Sequence, residues 1–91
     1  MAKRHKSAMK RMREDQKRRV RNTSIKSALK TYAKRVEVLV EHKDGIQAAA
    51  LLRKAVSAFD KAAGKGVIHR NKAARKKAVL SRKVHLLQAS G

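Results

Sequence analysis

The chain has 91 residues, with 26 Lys and Arg against six Asp and Glu, and a formal net charge of +20. A chain of this length folds as one domain with a small core, because it buries only roughly 60 to 65% of its unfolded surface. The charge favours a polyanionic partner, whereas the absence of Cys excludes disulfides and Cys zinc sites.

The first predicted element is a long helix with Ser7 as its N-cap that runs to about His42. No proline interrupts it, and helix-forming residues dominate. One apolar stripe follows spacings of four, three, four and three, and consists of Ile25, Leu29, Tyr32, Val36 and Leu39. Residues 7–24 have almost no apolar face, so we expect this half of the helix to project from the bundle as a thin basic rod with Lys and Arg in all directions.

The basic rod carries two acids among its cations. Glu14 and Asp15 each have basic residues four positions away on both sides, which predicts helical ion pairs. Each such pair contributes only about 0.2 to 0.5 kcal/mol, which does not outweigh the repulsion among the cations. We therefore expect residues 1 to about 22 to be partly disordered alone and to become helical on a polyanion.

The second predicted helix begins after Asp44. Asp44 and Gln47 have the spacing of a capping box, and Gly64, Lys65 and Gly66 end the helix. Its predicted apolar face consists of Ile46, Ala49, Leu52, Val56, Phe59 and Ala63. Because only residues 43–45 separate the two apolar stripes, the first two helices should form an antiparallel hairpin.

The third predicted helix runs from about His69 or Asn71 to Leu87. Ile68 is placed to staple its start, and its apolar side consists of Ala73, Leu80, Val84 and Leu87. The fold class is therefore all-α: a three-helix bundle with an extended basic N-terminal helix. We predict a single helical domain over residues 1–91, in which 1–24 are the basic extension of helix one and 25–91 the bundle.

The charge is segregated along the chain in a way that favours RNA. Residues 1–35 sum to +12, residues 36–63 to zero and residues 64–91 to +8. A neutral hairpin with two basic flanks indicates a protein that packs through its centre and contacts phosphates through its ends. One Tyr and one Phe, both on core stripes, supply no platform for base stacking, which favours folded RNA recognised by shape.

Candidate RNA-binding residues lie on both flanks. On the rod they are Lys6, Ser7, Lys10, Arg11, Arg13, Lys17, Arg18, Arg19, Arg21, Asn22 and Lys26, and on the third helix they are His69, Arg70, Asn71, Lys72, Arg75, Lys76 and Lys77. His69 has a second interpretation as the cap of that helix, and both remain open.

Metal binding and catalysis have little support in the sequence. None of His5, His42, His69 and His85 are spaced three or four apart. The two adjacent acids lie among cations that favour their ionised form, the opposite of what a general acid needs. We predict no enzyme activity, no metal, no cofactor and no small-molecule substrate.

Two stretches of the sequence resemble one protein family. Two segments are similar to the bacterial small-subunit ribosomal protein S20 family: the closing KGVIHRNKAARKKAVL, which follows Asp60 to Ala63, and the opening, with Lys6, Ser7, Ala8, Lys10, Arg11, Arg13, Lys17, Arg18, Arg19, Arg21 and Asn22. The resemblance implies a three-helix bundle with an extended first helix. It also implies a cytoplasmic structural component of the small ribosomal subunit that binds its ribosomal RNA directly and early in assembly, near the 5′ domain and the long penultimate helix, with few or no direct protein partners.

Two alternatives come from other classes of function. A DNA-binding basic region leading into a dimeric zipper would use the stripe from Ile25 to Leu39, but this covers only about two heptads, where a coiled coil needs three or four. A membrane-active basic helix would need interfacial aromatic residues that the chain lacks.

Overall fold

The structure is a computed structural model that describes the backbone of residues 2–90 and the side chains of residues 8–90. Over this range the chain forms three helices, α1 (Ala2–Glu41), α2 (Gly45–Gly64) and α3 (Arg70–Ser90). The Cα positions extend over 69 × 21 × 14 Å, which is far longer than it is wide. The predicted all-α class and the three-helix arrangement are confirmed.

Helix α1 begins earlier than the sequence predicted. Its first residue is Ala2, so Ser7 lies inside the helix and the prediction of Ser7 as N-cap is wrong. The physical reason is that residues 2–6 contain neither Pro nor Gly, so nothing in them ends a helix. The partial disorder expected for residues 1 to about 22 without RNA stays a prediction.

Helices α1 and α2 end in the same hydrogen-bonding pattern. After α1, the N–H of Lys43 donates to the carbonyl of Val40 and that of Asp44 to the carbonyl of Leu39, both at 3.0 Å. After α2, Gly66 donates to Ala63 at 3.1 Å and Val67 to Ala62 at 3.0 Å. In both turns the central residue has a positive φ, 59° for Lys43 and 76° for Gly66. Each helix therefore ends in a Schellman motif, but only the second has the glycine that suits it.

Substitution of Lys43 by Gly is expected to stabilise the protein by about 1 kcal/mol, because a side chain at positive φ is strained. Gly66→Ala should destabilise it by about 1 to 2 kcal/mol through the backbone alone, since an added Cβ would meet no atom within 4 Å. The free energy of unfolding from urea titrations measures both changes.

The matched control is Gly64→Ala, at a helical position where an added Cβ also has no neighbour within 4 Å. Here alanine should be neutral or stabilising by up to about 1 kcal/mol. Equal destabilisation by Gly64→Ala and Gly66→Ala would contradict the proposed role of the positive φ.

The start of α2 forms half of the predicted capping box. Asp44 Oδ1 accepts a hydrogen bond from the Gln47 backbone N–H at 3.1 Å, so Asp44 is the N-cap. The Asp44 N–H, which the Gln47 side chain would have bound, instead donates to the Leu39 carbonyl. The Schellman turn of α1 thus satisfies the group that a reciprocal cap would use.

The core lies where α2 packs against both α1 and α3. Its buried side chains are Leu29 and Val36 of α1, Ala48, Ala55, Phe59 and Ala62 of α2, Val67 and Ile68 of the second turn, and Ala73, Leu80 and Val84 of α3. The stripes predicted for the first and third helices are confirmed. The alanines of α2 let the helix backbones approach closely.

The face predicted for the second helix is displaced from the one that is buried. Ile46 is 87% exposed, and the fully buried line runs through Ala48 and Ala55 instead. Because α2 is the middle helix and contacts a neighbour on each side, its apolar face is wide, and its centre holds alanines rather than the larger residues at its edges. The larger residues Leu52 and Val56 are only half-buried.

Candidate nucleic-acid interface

The first half of α1 projects from the bundle. Every side chain from residue 8 to residue 21 is exposed, and the first side chain of α1 that the core buries is Leu29. We call residues 8–21 the rod. Its cations are Lys10, Arg11, Arg13, Lys17, Arg18, Arg19 and Arg21.

The cations of the rod do not point in all directions, as the sequence analysis expected. At 3.6 residues per turn they occupy about two thirds of the helix circumference. The remaining third carries Met9, Met12, Gln16 and Val20, of which the three apolar residues are 53 to 68% exposed. The rod therefore has a broad cationic face and a narrow uncharged strip.

The two acids of the rod do not form the predicted ion pairs. Among the side chains that the structure describes, ion pairs within 4.0 Å involve only Asp60 with Lys77 and Glu37 with Lys83. Glu14 and Asp15 are exposed and lie outside both. The prediction was wrong because exposed side chains gain little by holding one geometry in water.

The second basic surface is the first half of α3, and its start is fixed by His69. His69 Nδ1 accepts a hydrogen bond from the Asn71 backbone N–H at 3.1 Å, and its carbonyl accepts from Ala73 at 3.1 Å. His69 is thus the N-cap of α3, as one of the two open interpretations held. Its imidazole remains exposed, and the cap uses only Nδ1, so Nε2 can still donate to a phosphate.

The cations of α3 divide into two groups. Lys77 is bound to Asp60 at 2.5 Å and Lys83 to Glu37 at 3.0 Å, which ties α3 to α2 and to α1. The other candidates on this helix are exposed: Arg70, Asn71, Lys72, Arg75 and Lys76. Lys77, which the sequence analysis grouped with them, is half-buried and engaged within the bundle.

The two basic surfaces converge where the rod leaves the bundle. Lys26 and Lys30 of α1 and Lys72 and Lys76 of α3 line one cleft. From this cleft the rod runs away from the bundle, whereas α3 runs back along it. The last turns of α3 reach the opposite end of the bundle, where a Cβ atom added to Gly45 would lie 4.0 Å from the side chain of Leu87. Lys30 was missed by the sequence analysis, although its spacing of four from Lys26 puts both on one helix face.

The remaining predicted site residues are Lys6, Ser7 and Asn22. The side chains of Lys6 and Ser7 lie outside the described residues. Asn22 is half-buried, and its Oδ1 is fully buried without a hydrogen-bond partner. In this conformation that oxygen is not accessible to RNA.

Comparison with known families decides what kind of chain this is. The family model described as Ribosomal protein S20 matches residues 3–85. The chain belongs to the ribosomal protein S20 family. The match extends over both basic surfaces and the hairpin between them, and the resemblance seen in the sequence is confirmed.

Individual members of the S20 family are similar over nearly the whole chain. The chain is 46% identical over 84 residues to small ribosomal subunit protein bS20 of Halalkalibacterium halodurans, which covers 92% of each protein. It is 47% identical over 85 residues to bS20 of Geobacillus thermodenitrificans, covering 93% of this chain and 96% of that one. With bS20 of Carboxydothermus hydrogenoformans the identity is 51% over 78 residues, or 86% and 84% of the two chains.

Membership in the S20 family agrees with a structural role rather than catalysis, and the prediction that the chain is not an enzyme is confirmed. Across the described residues, no group of three or more His, Asp and Glu is placed to hold a metal ion. Within the same part of the chain, none of the helices has a stretch both long and apolar enough to span a membrane.

Proposed function

We propose that this member of the S20 family is a structural constituent of the small ribosomal subunit in the cytoplasm, where it binds small-subunit ribosomal RNA directly through phosphate contacts. We further propose that it clamps separate RNA helices together during assembly. The names of its relatives support the first part, since each is a small ribosomal subunit protein. The observation that carries the RNA contact is the full exposure of the rod.

The exposure of the rod has a physical consequence. Seven cations within twelve residues lie on a segment of α1 whose side chains are all exposed, so they repel one another without compensation from packing. RNA phosphates remove this repulsion and release their counterions on binding. The rod is thus stabilised by a polyanion far more than by the rest of the chain.

The directions of the two basic surfaces support the proposed clamp. One RNA helix would lie along the rod and another along α3, and the cleft between them would fix their relative position. The core residues Ala73, Leu80 and Val84 hold α3 against α1 and α2, and the partly exposed ion pairs of Lys77 and Lys83 add little to this. Phosphate contacts would then set the position and orientation of each RNA helix.

The zipper alternative is not favoured by the packing. Leu29 and Val36 of α1, which would have to face a second copy, are 5% and 0% exposed within the bundle of this chain. A DNA-binding dimer would have to open that bundle. Competition between duplex DNA and folded ribosomal RNA for the chain distinguishes the two functions.

The salt dependence of binding tests the role of the rod. With six to ten phosphates engaged, the logarithm of the affinity for small-subunit ribosomal RNA should fall against the logarithm of salt concentration with a slope of about −4 to −9. Replacing Arg18 and Arg19 together by Ala should weaken binding and flatten the slope by about one to two. Fluorescence anisotropy over a series of KCl concentrations measures both quantities.

The matched control is Gln16→Ala, on the uncharged strip of the same helix, which should leave the slope unchanged. An unaltered slope in the variant with both arginines replaced would remove the rod from the RNA contact.

A further inference from the structure

The cleft between α1 and α3 combines a charged rim with an apolar floor. It has a volume of about 330 Å³. Its rim consists of the four lysines where the basic surfaces converge, and its remaining lining residues are Leu29, Ala33, Phe59 and Ile68. Leu29, Phe59 and Ile68 are core residues, 4 to 8% exposed, so the floor is fixed by the packing of the bundle.

The charge of the rim is uncompensated. Lys26 and Lys30 are four residues apart on α1, and Lys72 and Lys76 are four apart on α3, so each wall presents two neighbouring ammonium groups. None of the lining residues is acidic. The acids Asp60 and Glu37 are bound to Lys77 and Lys83, and none of these four residues lines the cleft. The rim therefore favours a ligand with more than one negative charge.

The floor adds a second requirement. A phosphate group alone would leave the apolar lining facing water, whereas a ligand with an apolar face gains free energy in proportion to the area it covers. The volume lies at the lower end of the range for small-molecule sites, which suits one residue of a polymer rather than a longer segment. A nucleotide within an RNA chain meets both requirements, because it has a phosphate on each side and a ribose and base between them.

We propose that the cleft binds one unstacked nucleotide of RNA, with its flanking phosphates on the two lysine pairs and its ribose or base against Leu29, Ala33 and Ile68. The proposal rests on the proposed function, because it gives the clamp a specific nucleotide to hold. Nucleotides of this kind occur in RNA loops and bulges. Phe59 is the most deeply buried of the lining residues, so the contact is made mainly to Ala33, which is half-buried, and to the exposed edges of Leu29 and Ile68.

A substitution that fills the cleft without changing charge tests the proposal. Ala33 is half-buried in the floor, and Ala33→Leu would occupy the space of the ribose or base. The affinity for small-subunit ribosomal RNA should fall about tenfold, an effect of the size that one covered apolar face gives. The salt slope should be unchanged, since no phosphate contact is removed.

The control is Ala50→Leu, the same substitution at an exposed position of α2 outside the cleft. This variant should bind RNA as the unmodified chain does. Equal affinities of the Ala33→Leu and Ala50→Leu variants would overturn the proposal, whereas the salt test of Arg18 and Arg19 would still stand. The two ideas therefore fail separately.

Methyl NMR on the unmodified chain provides a test that does not depend on any variant folding. Nuclear Overhauser effects should connect the methyl groups of Leu29, Ala33 and Ile68 to ribose or base protons of a bound small-subunit ribosomal RNA fragment. Parallel titrations use ATP and inorganic tripolyphosphate. ATP should bind more tightly than tripolyphosphate, because only ATP has an apolar part.

The titrations also separate the possible sources of the nucleotide. Nuclear Overhauser effects from ATP but none from RNA would mean that the cleft binds a free nucleotide. This result would overturn the proposal that it binds a nucleotide of RNA. Absence of contacts from both, or tripolyphosphate binding as tightly as ATP, would overturn the nucleotide site altogether.

Discussion

A chain that lacks residues 2–21 is expected to lose at least about a hundredfold in affinity for small-subunit ribosomal RNA, while its bundle stays folded. The deleted segment holds ten Lys and Arg against two acids, which lowers the formal net charge from +20 to +12. Each phosphate contact that is lost removes close to one unit from the salt slope, so the loss grows as salt falls.

The stability of this truncated chain should be unchanged or higher. The side chains of the rod are all exposed, so their removal takes nothing from the core. It also relieves part of the repulsion among the cations. Thermal melting followed at 222 nm should therefore give an equal or higher Tm, and RNA affinity is measured on the same sample by anisotropy.

A second variant separates charge from length. In a full-length chain with Lys10, Arg11, Arg13 and Lys17 replaced by Gln, the rod keeps its helix-forming residues and loses only cations. Weakened RNA binding in both variants would assign the effect to charge. A truncated chain that binds RNA as tightly as the full chain would place the interface on α3 alone, and a lower Tm would mean that the rod packs against the bundle.

The architecture was accessible from the sequence because it depends on local signals. The apolar spacing that places Leu29 and Val36 on one face, and the Asp44 cap before Ile46, are properties of neighbouring residues in one helix. No signal of comparable strength marks the first residue of α1. Helix-forming residues continue without a break upstream of Ser7, so this good capping residue lies inside the helix instead of starting it.

Features that depend on two helices at once were not predicted. The partners in the Lys77–Asp60 and Lys83–Glu37 pairs are 17 and 46 residues apart in the chain, and no periodicity relates them. Lys77 was therefore predicted as an RNA-binding residue, although it is paired with Asp60. The buried line of α2 follows from its position between two helices, which the pattern of a single helix does not show.

The basic interface was predicted only in part, because some of its features are local in the sequence and others depend on the packing of two helices. The concentration of cations on the rod and on the start of α3 is visible in the sequence, and so is the possibility that His69 caps α3. Convergence of Lys26 and Lys72 on one cleft is not, because it depends on the packing of α1 against α3 around Phe59 and Ile68. The uncharged strip of the rod follows from the helical spacing of Met9, Met12, Gln16 and Val20, whereas a count of charges does not show it.

Substitution of Leu80 by Ala is expected to destabilise the bundle by about 2 to 5 kcal/mol. Leu80 lies on α3 and is 2% exposed. Of the eleven buried apolar residues, four are alanines and two, Val67 and Ile68, lie in the turn between α2 and α3. A core with so few large side chains has little to replace the contacts that are lost. At about 4 to 8 °C per kcal/mol for a domain of this size, Tm should fall by roughly 8 to 40 °C.

The matched control is Leu86→Ala, the same substitution in the same helix at a position that is 60% exposed. It should change stability by no more than about 0.5 kcal/mol. Saturating RNA should raise the Tm of both variants, since a ligand that binds only the folded state stabilises it. Equal effects of the two substitutions on Tm would mean that α3 is not docked through Leu80, and the fixed geometry that the RNA clamp requires would then be absent.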